Sequence, residues 1–246
     1  MYYRITTYLV LLFAFTPVWA FCGDLAEADS LYNKYYYNDA LEIYREHLKS
    51  DTTDAELYLK AGKCLTDIGE LQPRDKQLEI YEEAYQLLKR SEQLNPDNAE
   101  VHFQVARTVG RIALFKGIFS SIGLAKEVKR ETDAALEIDP AHDGALHILG
   151  RWHREVAGKP KLIRGPLGLG EADREESAKY FKKALEINPQ LINHHLEIGK
   201  TYMALKKYPE ARHHFYYVLN LEPIRPIDEK YIEEAKILLK EIEGKT

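Results

Sequence analysis

The sequence has few of the residues on which disulfide-rich or zinc-bound domains depend. Its 246 residues include two cysteines, Cys22 and Cys64, too few for a disulfide scaffold or a zinc finger. It has no excess of positive charge: 34 Lys and Arg face 39 Asp and Glu, and the net charge of −5 argues against a nucleic-acid partner. Gly-x-Ser-x-Gly, His-Glu-x-x-His and phosphate-loop motifs are missing as well. We therefore expect a protein that is not an enzyme, with no catalytic residue, no metal and no cofactor.

What the sequence does have begins with an apolar N-terminal segment. Arg4 precedes an uncharged, mostly apolar run over residues 5–15, and Val18 and Ala20 form the small-residue pattern that a signal peptidase accepts. This layout predicts a signal peptide at 1–20 and an exported protein, periplasmic or secreted after cleavage near Ala20.

Two alternatives remain open for this segment. Extended to Cys22, the run has 18 residues, about the minimum for an uncleaved anchor helix. Cys22 could also be a lipidation site, although the bulky Phe21 before it disfavours that interpretation. We expect the mature chain to be soluble and to contact a membrane only if this segment is not cleaved.

The rest of the chain is repetitive. Four apolar-periodic segments each end at a proline, which cannot continue a helix: Pro96, Pro140, Pro189 and Pro223, with spacings of 44, 49 and 34 residues. In the last interval Gly199 and Tyr202 lie on a first predicted helix, and Ala211 and Phe215 lie on a second. Small residues at such positions allow two antiparallel helices to approach closely.

This pattern resembles the tetratricopeptide repeat (TPR), in which such helix pairs stack into a solenoid. The resemblance implies an all-α, TPR-type helical-hairpin solenoid over residues 21–246 with long inter-helix insertions and a C-terminal capping helix. The approximate units are 21–54, 55–98, 99–142, 143–191 and 192–225, with the cap at 226–243. The three middle units exceed 34 residues, and the excess is predicted to lie between their two helices.

The insertions point to one particular family among the TPR proteins. The segment 147–157, the loop at 158–172 and the following helix with Phe181 are similar to the regulator of microtubule dynamics family of TPR proteins. That likeness implies an α-helical adaptor without enzymatic activity. A cytoskeletal role is not carried over, because an exported protein would meet no microtubules.

Candidate binding residues follow from the repeat register, because TPR solenoids bind along the concave face formed by their first helices. The predicted peptide-binding residues are cations at groove-facing positions, with two more about one turn further on: Lys63, Arg107, Arg151 and Lys200, then Arg111 and Arg154. Such cations would favour a protein or peptide partner that is acidic or carboxylate-bearing. The alternative is a solvated face in which Asp67 and Glu155 neutralise Lys63 and Arg151.

A second function class is also open. The apolar stretches 112–115 and 117–119 could line a cavity for an apolar or lipid-like small ligand. Three single residues are assigned structural roles: Trp152 as an anchor for the 158–172 loop, Cys64 as a buried thiol rather than the partner of Cys22, and His195 as a core residue rather than a metal ligand. No pattern indicates an oligomeric state.

Overall fold

The computed structural model describes residues 24–116 and 118–246, so the predictions for residues 1–20 and for Cys22 lie outside the described residues. The described part contains α-helices, one π-helical turn at Gly165–Leu169 and no β-strand. The helices are α1 (Leu25–Asn33), α2 (Tyr37–Ser50), α3 (Ala55–Leu71), α4 (Arg74–Leu94), α5 (Ala99–Ala113), α6 (Ile118–Ile138), α7 (Asp143–Ala157), α8 (Lys161–Arg164), α9 (Arg174–Ile187), α10 (Ile192–Ala204), α11 (Tyr208–Leu219) and α12 (Asp228–Glu241). The predicted all-α class is confirmed.

The helices pack as hairpins that stack in chain order. The pairs are α1 with α2, α3 with α4, α5 with α6, α7 with α9, and α10 with α11, and each second helix also packs on the first helix of the next pair. Helix α12 packs on α10 and α11 at the end of the stack, as a capping helix should. This is the predicted TPR-type solenoid.

Glycines set the distance between the paired helices. A Cβ built on Gly62 would lie 2.6 Å from a side-chain carbon of Leu88, and one on Gly199 would lie 2.4 Å from the ring of Phe215. Both distances are too short for a real contact, so only glycine permits this approach. Leu88 and Phe215 are fully buried, which confirms that small residues on one helix admit large ones from its partner.

The helix starts are specified locally. The Asp54, Asn98 and Asp173 side chains accept hydrogen bonds from backbone N–H groups in the first turns of α3, α5 and α9. At the start of α7 the ring of His142 has the same role and accepts from the N–H of Ala145. These caps satisfy donors that have no partner within the helix.

The long insertions adopt different forms. In units 55–98 and 99–142 the extra residues mostly lengthen the helices, so α3 has 17 residues and both α4 and α6 have 21. In unit 143–191 they form α8 and the π-helical turn. Trp152 is buried with Leu169 and Ala172 from that segment, and its Nε1 donates to the carbonyl of Ala125 at 2.7 Å, which confirms its anchoring role.

The core is divided into three apolar clusters along the stack, one at each end and one in the middle. Cys64 belongs to the N-terminal cluster and is fully buried, and burial raises the pKa of its thiol. No helix in the described ranges has the length and apolar character needed to cross a membrane.

Candidate functional site

The concave face holds a cavity of about 430 Å³. Its walls come from the first helices α3, α5, α7 and α10, together with the N-terminal pair and the segment that leads into α12. Its charged and polar lining residues include Tyr32, Lys63, Asp67, Glu70, Glu100, Arg107, Arg111, Asp143, His147, Arg151, Asn193, His194, Arg225 and Tyr231. We call this cavity the groove.

The C-terminal end of the chain closes one side of the groove. Lys230 Nζ donates to the backbone carbonyl of Glu70 at 2.9 Å, a contact between residues 160 positions apart. Arg225 forms a salt bridge with the buried Asp228 at 2.7 Å, and with Tyr231 it faces the groove from that side. The last helix therefore contacts the second helix pair directly, across the concave face.

Four of the six predicted cations line the groove, namely Lys63, Arg107, Arg111 and Arg151. Arg154 and Lys200 are not among its lining residues. Arg154 is buried against α10, where its Nη1 donates to the backbone carbonyl of Glu197 at 2.9 Å. Lys200 lies between Glu197 and Glu234, at 3.0 Å and 2.7 Å.

Arg107 and Arg111 are held by acids from α3. Arg107 Nη2 contacts Asp67 at 2.6 Å and Glu70 at 2.9 Å, and Arg111 Nη2 contacts Glu70 at 2.7 Å. Burial alone would raise the pKa of Glu70, but the two guanidiniums outweigh it and lower that pKa to about 2. These two arginines therefore enter the groove with their charge largely compensated.

Lys63 is also paired, although more loosely. Its Nζ lies 3.2 Å from Glu100 and 5.2 Å from the centre of the Tyr32 ring. The side chains of Lys63 and Glu100 remain about one third exposed, so solvent screens this pair. A second, adjacent cavity of about 350 Å³ reaches Lys63 from the N-terminal side.

Arg151 differs from the other five cations. Its nearest acid is the buried Glu197, 3.7 Å from Nε, and that carboxylate already binds Arg154 and Lys200. Within the described part of the chain the Arg151 guanidinium makes no hydrogen bond, and its side chain is 23% exposed. Of the three predicted arginines at the wall of the groove, Arg151 is therefore the one whose guanidinium has all of its donors free of hydrogen bonds within the described part.

Beside Arg151 lies a chain of polar groups that the sequence did not suggest. His147 Nδ1 is 2.8 Å from His194 Nδ1, His194 Nε2 is 3.2 Å from Asp143, and Asn193 Nδ2 is 3.3 Å from His147 Nε2. The amide of Asn193 can donate to His147 Nε2, so a neutral His147 carries its proton on Nδ1. His147 then donates to His194, and His194 donates to Asp143.

Burial is the main reason why the pKa of His147 lies well below its usual value, and the nearby charge of Arg151 lowers it further. The chain of donors is therefore maintained with a neutral His147 at neutral pH. The hydrogen bond from His194 is the main reason why the pKa of Asp143 is lowered. These groups fix the wall beside Arg151 and leave its guanidinium turned to the cavity.

The prediction that Asp67 and Glu155 neutralise Lys63 and Arg151 is wrong about the cations with which these acids pair. Asp67 pairs with Arg107 rather than Lys63, and Glu155 pairs with Arg154 rather than Arg151. For Asp67 the physical reason is that the first helices lie side by side, so an acid on α3 is closer to a cation on α5 than to one a turn away on its own helix; Glu155 instead contacts its chain neighbour Arg154. Glu70 and Glu197 were missed because they likewise pair with cations on an adjacent first helix.

One group of three residues in the described part has the spacing of metal ligands: Glu92, His102 and Glu131. Its ligand atoms are already engaged, since His102 Nδ1 lies 2.7 Å from Glu131 and His102 Nε2 lies 2.7 Å from the carbonyl of Pro96. Lys89 contacts Glu92, and Arg130 contacts Glu131. Two cations beside the carboxylates make this an ion-pair cluster rather than a cation site.

The predicted histidine at the core of the last unit is where it was expected. His195 is buried, its Nδ1 lies 3.0 Å from His214 Nδ1, and its ring stacks on Tyr217 at 4.1 Å. The residues 112–115, suggested as a ligand cavity, line neither of the two cavities described above. Residue 117 and the side chains of 118–120 lie outside the described residues.

Solved structures with this fold are TPR proteins. The chain is similar to TTC0263, a thermophilic TPR protein of Thermus thermophilus, with a TM-score of 0.63 and 14% identity over 87% of this chain and 97% of that one. It is also similar to MamA of Desulfovibrio magneticus RS-1, with a TM-score of 0.51 and 16% identity over 91% and 99% of the two chains. The stacked helix pairs and their concave cavity define a TPR-type solenoid protein.

The family is more specific than the fold. The sequence profile of "Regulator of microtubule dynamics protein 1-3" matches residues 24–243, and the chain belongs to this family. Regulator of microtubule dynamics protein 1 of Bos taurus is 26% identical over 215 residues, which cover 82% of this chain and 66% of that protein. Protein 3 of Bos taurus is 29% identical over 157 residues, covering 59% and 33%. The chain spans about two thirds or less of these relatives.

Proposed function

We propose that this protein is an exported, non-catalytic scaffold that binds a carboxylate-bearing segment of a protein partner in its groove. The observation that carries the proposal is the position of Arg151, a partly exposed guanidinium at the groove wall with free donors and one distant acid. A guanidinium in this state binds a carboxylate with two parallel hydrogen bonds. Asn193 lies on the same wall and offers a further polar contact.

The predicted cations have different roles in this proposal. Arg151 contacts the ligand, and Lys63 attracts it from the N-terminal side, where the second cavity adjoins the groove. Arg107 and Arg111 contribute donors whose charge is mostly compensated by Asp67 and Glu70. Arg154 and Lys200 do not contact the ligand. They bind the Glu197 carboxylate and so keep it from forming a closer ion pair with Arg151.

The test is a change of Arg151 to Gln, which removes the charge without introducing an acid beside Glu197. The probe is a fluorescein-labelled set of hexapeptides with a free C-terminal carboxylate and an acidic penultimate residue, with the amidated set as comparison. Loss of a charged hydrogen bond costs about 1.5–3 kcal/mol, so affinity should fall about ten- to hundredfold. Lys182→Gln, on the exposed face of α9, is the matched control and should leave affinity unchanged.

Three results would count against this function. Equal binding by Arg151→Gln and the unchanged protein would remove Arg151 from the site. Equal binding of the free and amidated peptides would show that a terminal carboxylate is not recognised. A failure of every peptide to bind would leave the groove without its proposed ligand class. Circular dichroism checks that each variant has kept its helical content.

Export is a separate part of the proposal and is supported by the arrangement of Arg4, the apolar run at 5–15 and Ala20. Expression of the full chain with its own N-terminus, followed by N-terminal sequencing of the protein from the cell envelope, tests it. A mature protein that begins at Phe21 supports cleavage after Ala20. A protein that retains Met1 or Tyr2 in the membrane fraction supports an uncleaved anchor instead.

A further inference from the structure

The loop between α7 and α9 exposes apolar residues that no other part of the described chain covers. Leu162 is 88% exposed and Ile163 is 60% exposed, and Leu162 has the highest exposure among the large apolar side chains of the described part. Both lie on the single turn of α8, at the outer end of the loop. The groove is not involved, because no residue of this loop lines it.

The loop is an ordered structure rather than a loose connection. The guanidinium of Arg164 donates to three backbone carbonyls, those of Lys159 at 3.2 Å, Leu169 at 3.1 Å and Gly170 at 2.8 Å. On the inner side Leu169 is buried in the core with Trp152. The loop therefore buries one leucine and holds another leucine and an isoleucine in solvent.

The loop carries only positive charge up to Gly170, and its two acids lie at the end that leads into α9: Glu171 lies 3.5 Å from Lys129, and Asp173 accepts from the first N–H groups of α9. Residues 158–170 contain three cations, Lys159, Lys161 and Arg164, and no acid. None of these cations forms a salt bridge within the described part of the chain, since Arg164 pairs with carbonyls and the two lysines have no acidic partner. Both lysines precede the exposed apolar pair: Lys161 lies directly before Leu162, and Lys159 lies two residues before Lys161.

We propose that this loop docks the protein on an anionic lipid bilayer. Leu162 and Ile163 enter the boundary between headgroups and acyl chains, where their apolar surface leaves water. Lys159 and Lys161 remain at headgroup level and interact with lipid phosphates, as long side chains do at such boundaries. The rigid support from Arg164 and Trp152 lowers the entropic cost of insertion, because the loop is already ordered before it binds.

An anionic lipid surface fits this loop better than a binding pocket on a partner protein does. The loop offers two exposed apolar side chains that directly follow two lysines without an acidic partner, and a bilayer with anionic lipids supplies apolar depth and negative charge over any area. The sequence linked membrane contact to residues 1–20 alone; this loop adds a contact made by the folded body. Docking does not depend on the binding of a peptide in the groove, so either proposal can fail without the other.

The experiment places a probe in the loop itself, so that membrane contact by residues 1–20 cannot produce the signal. In the full chain with Cys22→Ser, an environment-sensitive NBD fluorophore is attached to Ile163→Cys. The matched control carries it on Ile237→Cys, because Ile237 on α12 has the same 60% exposure as Ile163. Cys64 is fully buried and remains unlabelled in the folded protein. The probes are vesicles of 30% phosphatidylglycerol in phosphatidylcholine, and of phosphatidylcholine alone.

With the anionic vesicles we expect a blue shift and at least a twofold increase in NBD emission at position 163, with no change at position 237. Lys159→Glu combined with Lys161→Glu should lower the partition coefficient at least about tenfold, because each cation near an anionic surface contributes severalfold. Leu162→Ser should lower it as well. Salt at 0.5 M should weaken docking by screening.

Each opposite result overturns the proposal. An unchanged probe at position 163 would mean that the loop stays in water, whatever residues 1–20 do. Equal shifts at both positions would indicate adsorption of the whole surface. Equal shifts with both vesicle types would remove the role of anionic lipid. A charge-reversed variant that still docks would show that Lys159 and Lys161 do not recognise the surface.

Discussion

The replacement of Glu197 by glutamine should destabilise the fold strongly, although it changes only one heavy atom. Glu197 is 4% exposed and is the shared acidic partner of Arg154, Arg151 and Lys200. Its removal leaves the buried Arg154 with the exposed Glu155 as its acidic partner. An uncompensated buried charge costs about 3–5 kcal/mol, and because Glu155 compensates part of it we expect about 3 kcal/mol.

The assay is urea unfolding followed by circular dichroism at 222 nm, with the midpoint and the m-value compared between variants. The matched control is Glu186→Gln, an exposed residue of α9 with no salt bridge in the described part, which should change the free energy of unfolding by less than about 0.5 kcal/mol. A loss below about 1 kcal/mol for Glu197→Gln would refute the idea that these cations depend on this carboxylate.

A double change separates charge compensation from packing. Glu197→Leu and Arg154→Leu should each destabilise the fold, because each leaves a buried group without its partner. The combined variant should be less destabilised than the sum of the two, since apolar side chains in place of this pair leave no fully buried charge uncompensated, and Arg151 and Lys200 remain partly exposed. Strict additivity would show that the two side chains do not interact through their charges.

Three further variants test other features of the structure. Gly199→Ala should cost about 1–3 kcal/mol, because its Cβ would lie 2.4 Å from the Phe215 ring, whereas Gly123→Ala, with open space at its Cβ, should be neutral or stabilising in the same urea assay. His214, whose pKa is lowered to about 4 by burial and by His195, binds protons more readily in the unfolded state, so its contribution to stability is full above pH 6.5 and is lost as the pH falls towards about 4. His214→Asn should therefore make the urea midpoint less sensitive to pH over that window, and an unchanged pH dependence would contradict this. Arg164→Gln, which removes the three hydrogen bonds to loop carbonyls, should speed tryptic cleavage after Lys161 severalfold, while Arg90→Gln on the exposed face of α4 should not.

Parts of the fold were predictable because they depend on local rules. The closing prolines end helices wherever they occur, and the Gly199 and Phe215 pair specifies a close antiparallel crossing without reference to other units. The anchoring role of Trp152 followed from size alone, since an indole at a position for a small residue must extend beyond its own helix pair.

The groove was less predictable because its electrostatics depend on neighbouring units. The register placed cations on the first helices, and four of the six do line the cavity. Their partners Glu70 and Glu197 lie on adjacent first helices, at sequence separations of 37–43 residues. No local spacing rule selects such pairs. The histidine chain from Asn193 to Asp143 likewise joins two units and needs the stacked structure to be recognised.

The contact between Lys230 and the carbonyl of Glu70 has a consequence for how the chain unfolds. A solenoid whose units contact only their neighbours can unfold its terminal repeats one at a time while the central repeats remain folded. Here the last helix is attached to the second pair, so the cap cannot detach without also releasing a contact near the opposite end. Loss of this one ammonium, for example in Lys230→Met, should allow the C-terminal pair to exchange its amide hydrogens earlier than the centre of the molecule.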